Sequence, residues 1–407
     1  MKTQLEMDWS QCFAQRTALM TSSALRELMK VASRPEIISF AGGLPATELF
    51  PIKRIKSALT AVLDRVGGQA LQYSATEGLA DLRDWLARHF STRRLRVKSE
   101  NVLITTGAQQ AMDLIGRILL EEGDRVIVEN PTYLALLSAW RPAGVEFLPV
   151  TCDADGMRVE ECEPLLKRKP KVIYCVPNFQ NPQGTTLSLA RRERLVALAR
   201  RHSTAIVEDN PYGELRYSGR ALPSLLELDA RNQGTSGFDS RVIYTGTFSK
   251  VLMPGLRVGW VIASRAVIEK LTQAKQAADL HTGTLSQHLA LELVSRGFLE
   301  EFLPVLRENY GKRRDAMIAE LGKYFPKSAT WTQPEGGMFL WVTLPKHIDA
   351  GELLPAALEQ RVAYVPGEAF HLKAEGKNTL RLNFTNARPE QIEAGIKKLG
   401  RLLESKV

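Results

Sequence analysis

Lys250 closes the stretch Thr245-Gly-Thr247-Phe-Ser249-Lys250, with hydroxyl residues before it and apolar Val251 and Leu252 after it. Together with Phe248 these apolar neighbours would desolvate the amine, lowering its pKa and freeing it for Schiff-base chemistry. Arg257 follows seven positions later in Pro254-Gly-Leu-Arg257. A second stretch, Thr106-Gly107-Ala108-Gln109-Gln110, runs into an apolar helical pattern. A glycine turn ahead of a helix offers free backbone N–H groups and the positive end of the helix dipole, a natural cradle for a phosphate. Asp209 in Glu208-Asp209-Asn-Pro-Tyr212 is a carboxylate at the end of an apolar run, and Asn181 lies in Asn178-Phe-Gln-Asn181-Pro-Gln-Gly184. Each feature alone has an ordinary explanation: a polar loop, a glycine before a helix, a helix cap, a turn.

Their positions along the chain are more informative. From about residue 100, short β-branched runs alternate with helical stretches: 102–105, 125–128, 171–176, 205–207, 241–244 and 258–262. Several runs are continuously apolar, as strands covered on both faces must be. Strand and helix in alternation predict an α/β sandwich with a largely parallel sheet, whose ligand site lies beyond the carboxyl ends of the strands. The polar segments above all follow such runs. After about residue 285 come long charged helices and short strands at 337–342 and 379–384, which predict a smaller α+β domain. Leu25, Leu28 and Met29 are spaced for one apolar helical face before the break at Ser39-Phe-Ala-Gly-Gly-Leu-Pro45. The expected division is an N-terminal arm over 1–45, a large domain over 46–285 and a small domain over 286–407.

The chain has 407 residues, 44% hydrophobic and 24% charged, which excludes disorder and a small disulfide scaffold. Its 54 basic and 45 acidic residues leave a charge of +9. The basic clusters at 93–98 and 167–171 lie far apart and carry no interleaved aromatics, so no nucleic-acid partner is expected. The uncharged run Val172–Ala190 contains prolines, asparagines, glutamines and a glycine, so no membrane span is expected. Four cysteines without CxxC spacing read as reduced thiols, no HExxH marks a metal site, and the N-terminus lacks a signal-peptide core. The expectation is a cytoplasmic protein without a metal.

Taken jointly, a Schiff-base lysine, a carboxylate for a ring nitrogen and a helix N-terminus for a phosphate meet the needs of pyridoxal 5′-phosphate. The sequence resembles the fold-type I, class I aminotransferases that depend on this cofactor, within the 2-aminoadipate/kynurenine aminotransferase-like subgroup. The resemblance rests on Ser39–Pro51, Leu71-Gln-Tyr-Ser-Ala-Thr-Glu-Gly78, Phe179–Gly184, Phe248-Ser-Lys250 and Ala274-Lys-Gln-Ala-Ala-Asp-Leu-His281, and runs from about residue 20 to residue 400. It implies that Lys250 carries the cofactor and shuttles the proton, and that Asp209 pairs with the pyridine nitrogen. Asn181 and Tyr212 would hydrogen-bond the phenolic oxygen, and Tyr133 would stack on the ring. Gly107, Ala108, Gln109, Thr247, Ser249 and Arg257 would hold the phosphate. Tyr73 would reach in from a neighbouring subunit, which implies a homodimer.

On the substrate side, the resemblance gives Arg381, in Leu380-Arg-Leu-Asn383, the α-carboxylate, with Asn181 and Gly43 beside it. Arg26 stands where bacterial 2-aminoadipate aminotransferases place an arginine for an acidic side chain, and it reads equally well as a solvated helix arginine. The implied activity is ping-pong transfer of an amino group from an L-amino acid (2-aminoadipate, glutamate, aromatic or branched-chain) to a 2-oxo acid such as 2-oxoglutarate. The alternative is a lyase, decarboxylase or racemase reaction with the same cofactor. Few residues precede the matching region, so a regulator with a winged-helix domain is not expected. Three positions depart from the family pattern: Ala108 stands for a hydroxyl residue, Gln183 for threonine, and Asn210 for a second aspartate.

Overall fold

A computed structural model describes residues 7–20, 28, 30–230 and 239–404. Its strands are β1 (Ile38–Ser39), β2 (Val102–Thr105), β3 (Arg125–Asn130), β4 (Glu146–Asp153), β5 (Gly156–Met157), β6 (Val172–Cys175) and β7 (Ala205–Asp209). They continue with β8 (Val242–Thr247), β9 (Gly259–Ile262), β10 (Thr330–Trp331), β11 (Phe339–Thr343), β12 (Val362–Ala363), β13 (Val365–Pro366) and β14 (Thr379–Asn383). Eight of them form one sheet in the order β2-β9-β8-β7-β6-β3-β4-β5. The neighbours from β8 through β7, β6 and β3 to β4 all pair in parallel. β9 is antiparallel to both β8 and β2, so β2 points the same way as the parallel set. The α/β architecture with a mostly parallel sheet follows from strands such as Val-Leu-Ile-Thr and Val-Ile-Tyr-Cys, buried at every position and therefore covered by helices on both faces.

All six expected strands of this sheet are present. β4 and β5 were not anticipated, because the burial of β4 alternates between exposed and buried positions at the sheet edge and its run contains Pro149. The helix Ala108–Leu119 shows how sequence details set the packing. It buries Ala111, Leu114 and Ile115, and a Cβ on Gly116 would come within 2.6 Å of the Trp140 ring. The Trp140 indole N–H donates to the Met112 carbonyl at 2.7 Å.

Towards the C-terminus a four-stranded antiparallel sheet, β10-β11-β14-β13, packs with the long helix Phe298–Tyr324 and the helix Pro389–Glu404. The expected strands at 337–342 and 379–384 correspond to β11 and β14. β1 pairs in parallel with β12, and the Asn383 amide donates to the Phe40 carbonyl, so the segment around residues 38–45 is tied to the C-terminal elements. Among the described residues no helix is long and apolar enough to cross a membrane.

Candidate active site

The carboxyl ends of β2, β3, β6, β7 and β8 open on one cavity of about 370 Å3, within the range of small-molecule sites. Ala108 and Gln109 line it from the turn after β2, Tyr133 from the segment after β3, and Asn181 from the loop after β6. Asp209, Tyr212, Thr247, Ser249, Lys250 and Arg257 reach it from β7, β8 and the turns that follow them. Gly43 and Arg381 close it from the N-terminal loop and β14, with Phe339 and Phe370. Residues more than 300 positions apart therefore meet in one space.

Adjacent carboxylates part company at the end of β7 because successive strand residues face opposite ways. Glu208 turns outward from the cavity and accepts from the Leu225 and Leu226 amides at the start of the helix Leu225–Ala230. Asp209 turns into the cavity, buried, and accepts from the Tyr174 hydroxyl at 2.8 Å and the Thr245 hydroxyl at 2.9 Å. Burial pushes the Asp209 carboxyl up to about 6 against the pull of those two donors. Lys250 Nζ donates to the Gly43 carbonyl at 2.8 Å. Desolvation first, and then the charges of Arg381 and Arg257, bring its pKa down to about 8. About a tenth of the amine is then neutral and nucleophilic at pH 7.

The turn after β2 is built to leave room for an anion. Gly107 has φ 77° and no side chain caps the helix it opens. The first N–H groups of a helix have no partner within it. A Cβ on Gly107 would come within 2.5 Å of Arg257 Nη2, so glycine is what admits the guanidinium beside the helix terminus. Arg257 itself has left-handed backbone, φ 53°, an uncommon state for a residue with a side chain. The hydroxyls of Thr247 and Ser249 hydrogen-bond each other at 2.9 Å on the same wall. Behind the turn, the fully buried Lys275 donates to Gln110 Oε1 and Asp279 Oδ1, both at 2.7 Å. Asp279 accepts in turn from the Thr106 hydroxyl, and Gln110 from the Thr106 amide. The Lys275-to-His281 motif thus supports the turn from outside the cavity.

At the opposite end Arg381 lies between two aromatic faces, 4.2 Å from the Phe339 ring centre and 4.9 Å from that of Phe370. Its Nη1 donates to Asn181 Oδ1 at 2.7 Å and its Nη2 to the Ala41 carbonyl at 2.5 Å, while the buried Nε has no partner. A guanidinium in the wall of a concave site is a place for an anionic group. Burial pushes the Tyr133 phenol up to about 12 and Tyr212 further, so both remain neutral hydrogen-bonding groups. Three cations face one carboxylate here, and the set fits a ligand with a phosphate, a basic ring nitrogen, an aldehyde and a neighbouring carboxylate.

The chain's match to the family model described as aminotransferase class I and II covers residues 35–399. This chain belongs to that family. It is 44% identical to the 2-aminoadipate transaminase of Thermus thermophilus over 399 residues, covering 98% of both chains. It is 42% identical to aromatic-amino-acid aminotransferase 1 of Thermococcus litoralis over 411 residues, covering 98% of this chain and 96% of the other. Among solved structures, the kynurenine aminotransferase of Pyrococcus horikoshii, determined in complex with PMP, matches with TM-score 0.92 and 42% identity, covering 98% of each chain. The chain is thus a fold-type I aminotransferase of the 2-aminoadipate/kynurenine-like subgroup, its cofactor is pyridoxal phosphate and its reaction is transamination. These relatives disfavour the lyase, decarboxylase or racemase alternative.

One of the aminotransferase's expected site side chains stands apart from the cavity. Tyr73 does not line it; the side chain is 78% exposed and its ring meets His281 edge-on at 5.7 Å. Arg26 lies outside the described residues, as do Leu25 and Met29 of the same expected apolar face. Sequence reasoning overlooked Tyr174, Thr245, Phe339 and Phe370. The first had a readable signal, since a tyrosine in a fully buried strand must find a partner for its hydroxyl. The two phenylalanines had none, because apolar residues in strand β11 and near β13 read as core. No group of three His, Cys, Asp or Glu side chains able to hold a metal ion occurs among the described residues.

Proposed function

We propose that this aminotransferase takes the amino group of glutamate, 2-aminoadipate, an aromatic or a branched-chain L-amino acid and passes it to a 2-oxo acid such as 2-oxoglutarate, in a ping-pong cycle. The observation that carries the reading is Arg381, held against the rings of Phe339 and Phe370 in the wall of the same cavity that holds the Lys250 amine. An α-carboxylate docked on that guanidinium leaves its amine facing Lys250, and the fork of an arginine fixes the carboxylate's orientation.

In this reading Lys250 forms the covalent link and then moves the proton. Its neutral fraction near pH 7 supports both tasks. When bound, the cofactor supplies an electron-poor ring that stabilises the carbanion left by proton removal. Gly107, Ala108, Gln109, Thr247, Ser249 and Arg257 hold its phosphate, Asn181 and Tyr212 its phenolic oxygen, Tyr133 its ring face, and Asp209 its ring nitrogen. The large region 46–285 then carries the cofactor, while 1–45 and 286–407 supply Gly43, Arg26 and Arg381 to the substrate. Leu134, Ala135 and Met112 add an apolar wall suited to aromatic and branched side chains, and Arg26 is assigned to acidic ones.

We further propose a cytoplasmic homodimer in which Tyr73 enters the partner's phosphate site. Leu71, Tyr73 and Leu280 are each exposed, and the Thr284 hydroxyl donates to the Gln72 carbonyl at 2.8 Å and so ties down the segment that carries Leu71 and Tyr73. The deciding experiment is the visible spectrum of the loaded enzyme with single L-amino acids and no oxo acid. Expected is one-turnover bleaching of the yellow band by the true donors and recovery on adding 2-oxoglutarate. A band that persists with every donor while ammonia, carbon dioxide or racemised amino acid accumulates would overturn the proposal.

A further inference from the structure

Asp209 is the only acidic side chain lining the cavity among the described residues, and it is buried. Burial favours its protonated form, and a protonated carboxyl cannot support a positive charge on a ring nitrogen. Two hydroxyls oppose that tendency. The Tyr174 hydroxyl, from β6 on one side, donates to Oδ2 at 2.8 Å, and the Thr245 hydroxyl, from β8 on the other, donates to Oδ1 at 2.9 Å. Each oxygen receives one hydrogen bond and keeps a further lone pair for the cavity. Both donors are themselves fully buried. The Tyr174 ring is fixed by an edge-on contact with Trp140 at 5.9 Å. Burial and the neighbouring Asp209 charge push the Tyr174 phenol well up, so it stays a donor rather than an ion.

We infer that Tyr174 and Thr245 are positioning residues that act through Asp209, holding its carboxylate ionised and in one orientation so that a shared proton resides on the cofactor's ring nitrogen rather than on the aspartate. The inference rests on the proposed placement of Asp209 against that nitrogen. No bond to carbon changes in the step; a single proton sits on nitrogen when both hydroxyls donate and moves to an Asp209 oxygen when they are removed. A hydrogen bond to a charged group shifts such a balance by roughly ten- to a hundredfold.

The test uses the enzyme loaded with cofactor labelled with nitrogen-15 in the ring, comparing wild type, Tyr174→Phe, the double variant Tyr174→Phe/Thr245→Val, and Asp209→Ala. Phenylalanine keeps the ring against Trp140, and valine keeps the shape of threonine. Expected is a ring-nitrogen resonance at the protonated position in wild type. It should move toward the unprotonated position in Tyr174→Phe and further in the double variant, with amine-to-cofactor transfer slowed about tenfold per hydroxyl. A resonance that stays put in both hydroxyl variants but moves in Asp209→Ala overturns the inference while leaving Asp209 at the nitrogen. A resonance unmoved in Asp209→Ala overturns the placement of Asp209 and the inference with it. Should the double variant not fold, Tyr174→Phe alone decides.

Discussion

Replacing Arg381 by lysine separates the charge of that residue from its geometry. In the structure two guanidinium N–H groups are committed, one on Nη1 to Asn181 and one on Nη2 to the Ala41 carbonyl, which leaves the second N–H of each for a carboxylate. An ammonium carries three donors at one point and no fork, so it either abandons Asn181 and Ala41 or offers the substrate a single bond. The loss is about one charge-assisted hydrogen bond, roughly 1.5–3 kcal/mol, together with an acceptor left unpaired in a buried site, roughly 1–3 kcal/mol. Taking about 3 kcal/mol, kcat/KM for the amine-transfer half-reaction should fall about 100-fold. Stopped-flow decay of the cofactor band against amino-acid concentration measures it. The control is the corresponding amine without a carboxylate, whose slow reaction should change by no more than a few-fold. If amino acid and amine lose rate equally, Arg381 does not read the carboxylate and the reasoning from its place in the cavity fails.

Other consequences follow from the same geometry. Lys250→Ala should form no covalent link to the cofactor and show no multiple turnover, measured by borohydride-resistant absorbance and steady-state assay. Because the Lys250 amine titrates near 8 and only its neutral form attacks, the rate of cofactor capture by the apoenzyme should rise with pH up to about 8 and level above it. A rate flat from pH 6 to pH 9 would contradict this. Arg26→Ala should reduce kcat/KM for 2-aminoadipate more than for phenylalanine, and equal losses would leave Arg26 a surface residue. Arg192, fully buried, donates to the Pro177, Leu187 and Pro223 carbonyls and to Asn178 Oδ1, pinning both ends of the loop that carries Asn181. Arg192→Met should cost about 3–5 kcal/mol of stability, read from denaturant unfolding, since several buried acceptors lose their donor at once.

Much of this protein was legible in its linear chain. Continuous apolar runs such as those of β6 and β8, alternating with helical stretches, point to strands buried on both faces and so to a largely parallel sheet. The polar segments at the strand ends had to gather on one edge, and glycine at 107 before an apolar helix marked an anion cradle. The family motifs then assigned a role to each. What the chain could not disclose is set by pairings across long separations. Glu208 and Asp209 are adjacent carboxylates of nearly equal chemistry; the resemblance picks out Asp209, and the structure supplies the physical reason, the pleat that sends Glu208 to the helix Leu225–Ala230 and Asp209 into the cavity. The family resemblance singles out Arg381, but only the structure shows that β14 brings it to Asn181, 200 residues away, and against the rings of Phe339 and Phe370. The lowered pKa of Lys250 needs burial by the loop at Gly43 as well as the two distant arginines. Residue types and local periodicity specify which groups are present and which elements carry them. Desolvation and hydrogen-bond partnership are sums over everything packed around an atom, and only the tertiary fold supplies those neighbours.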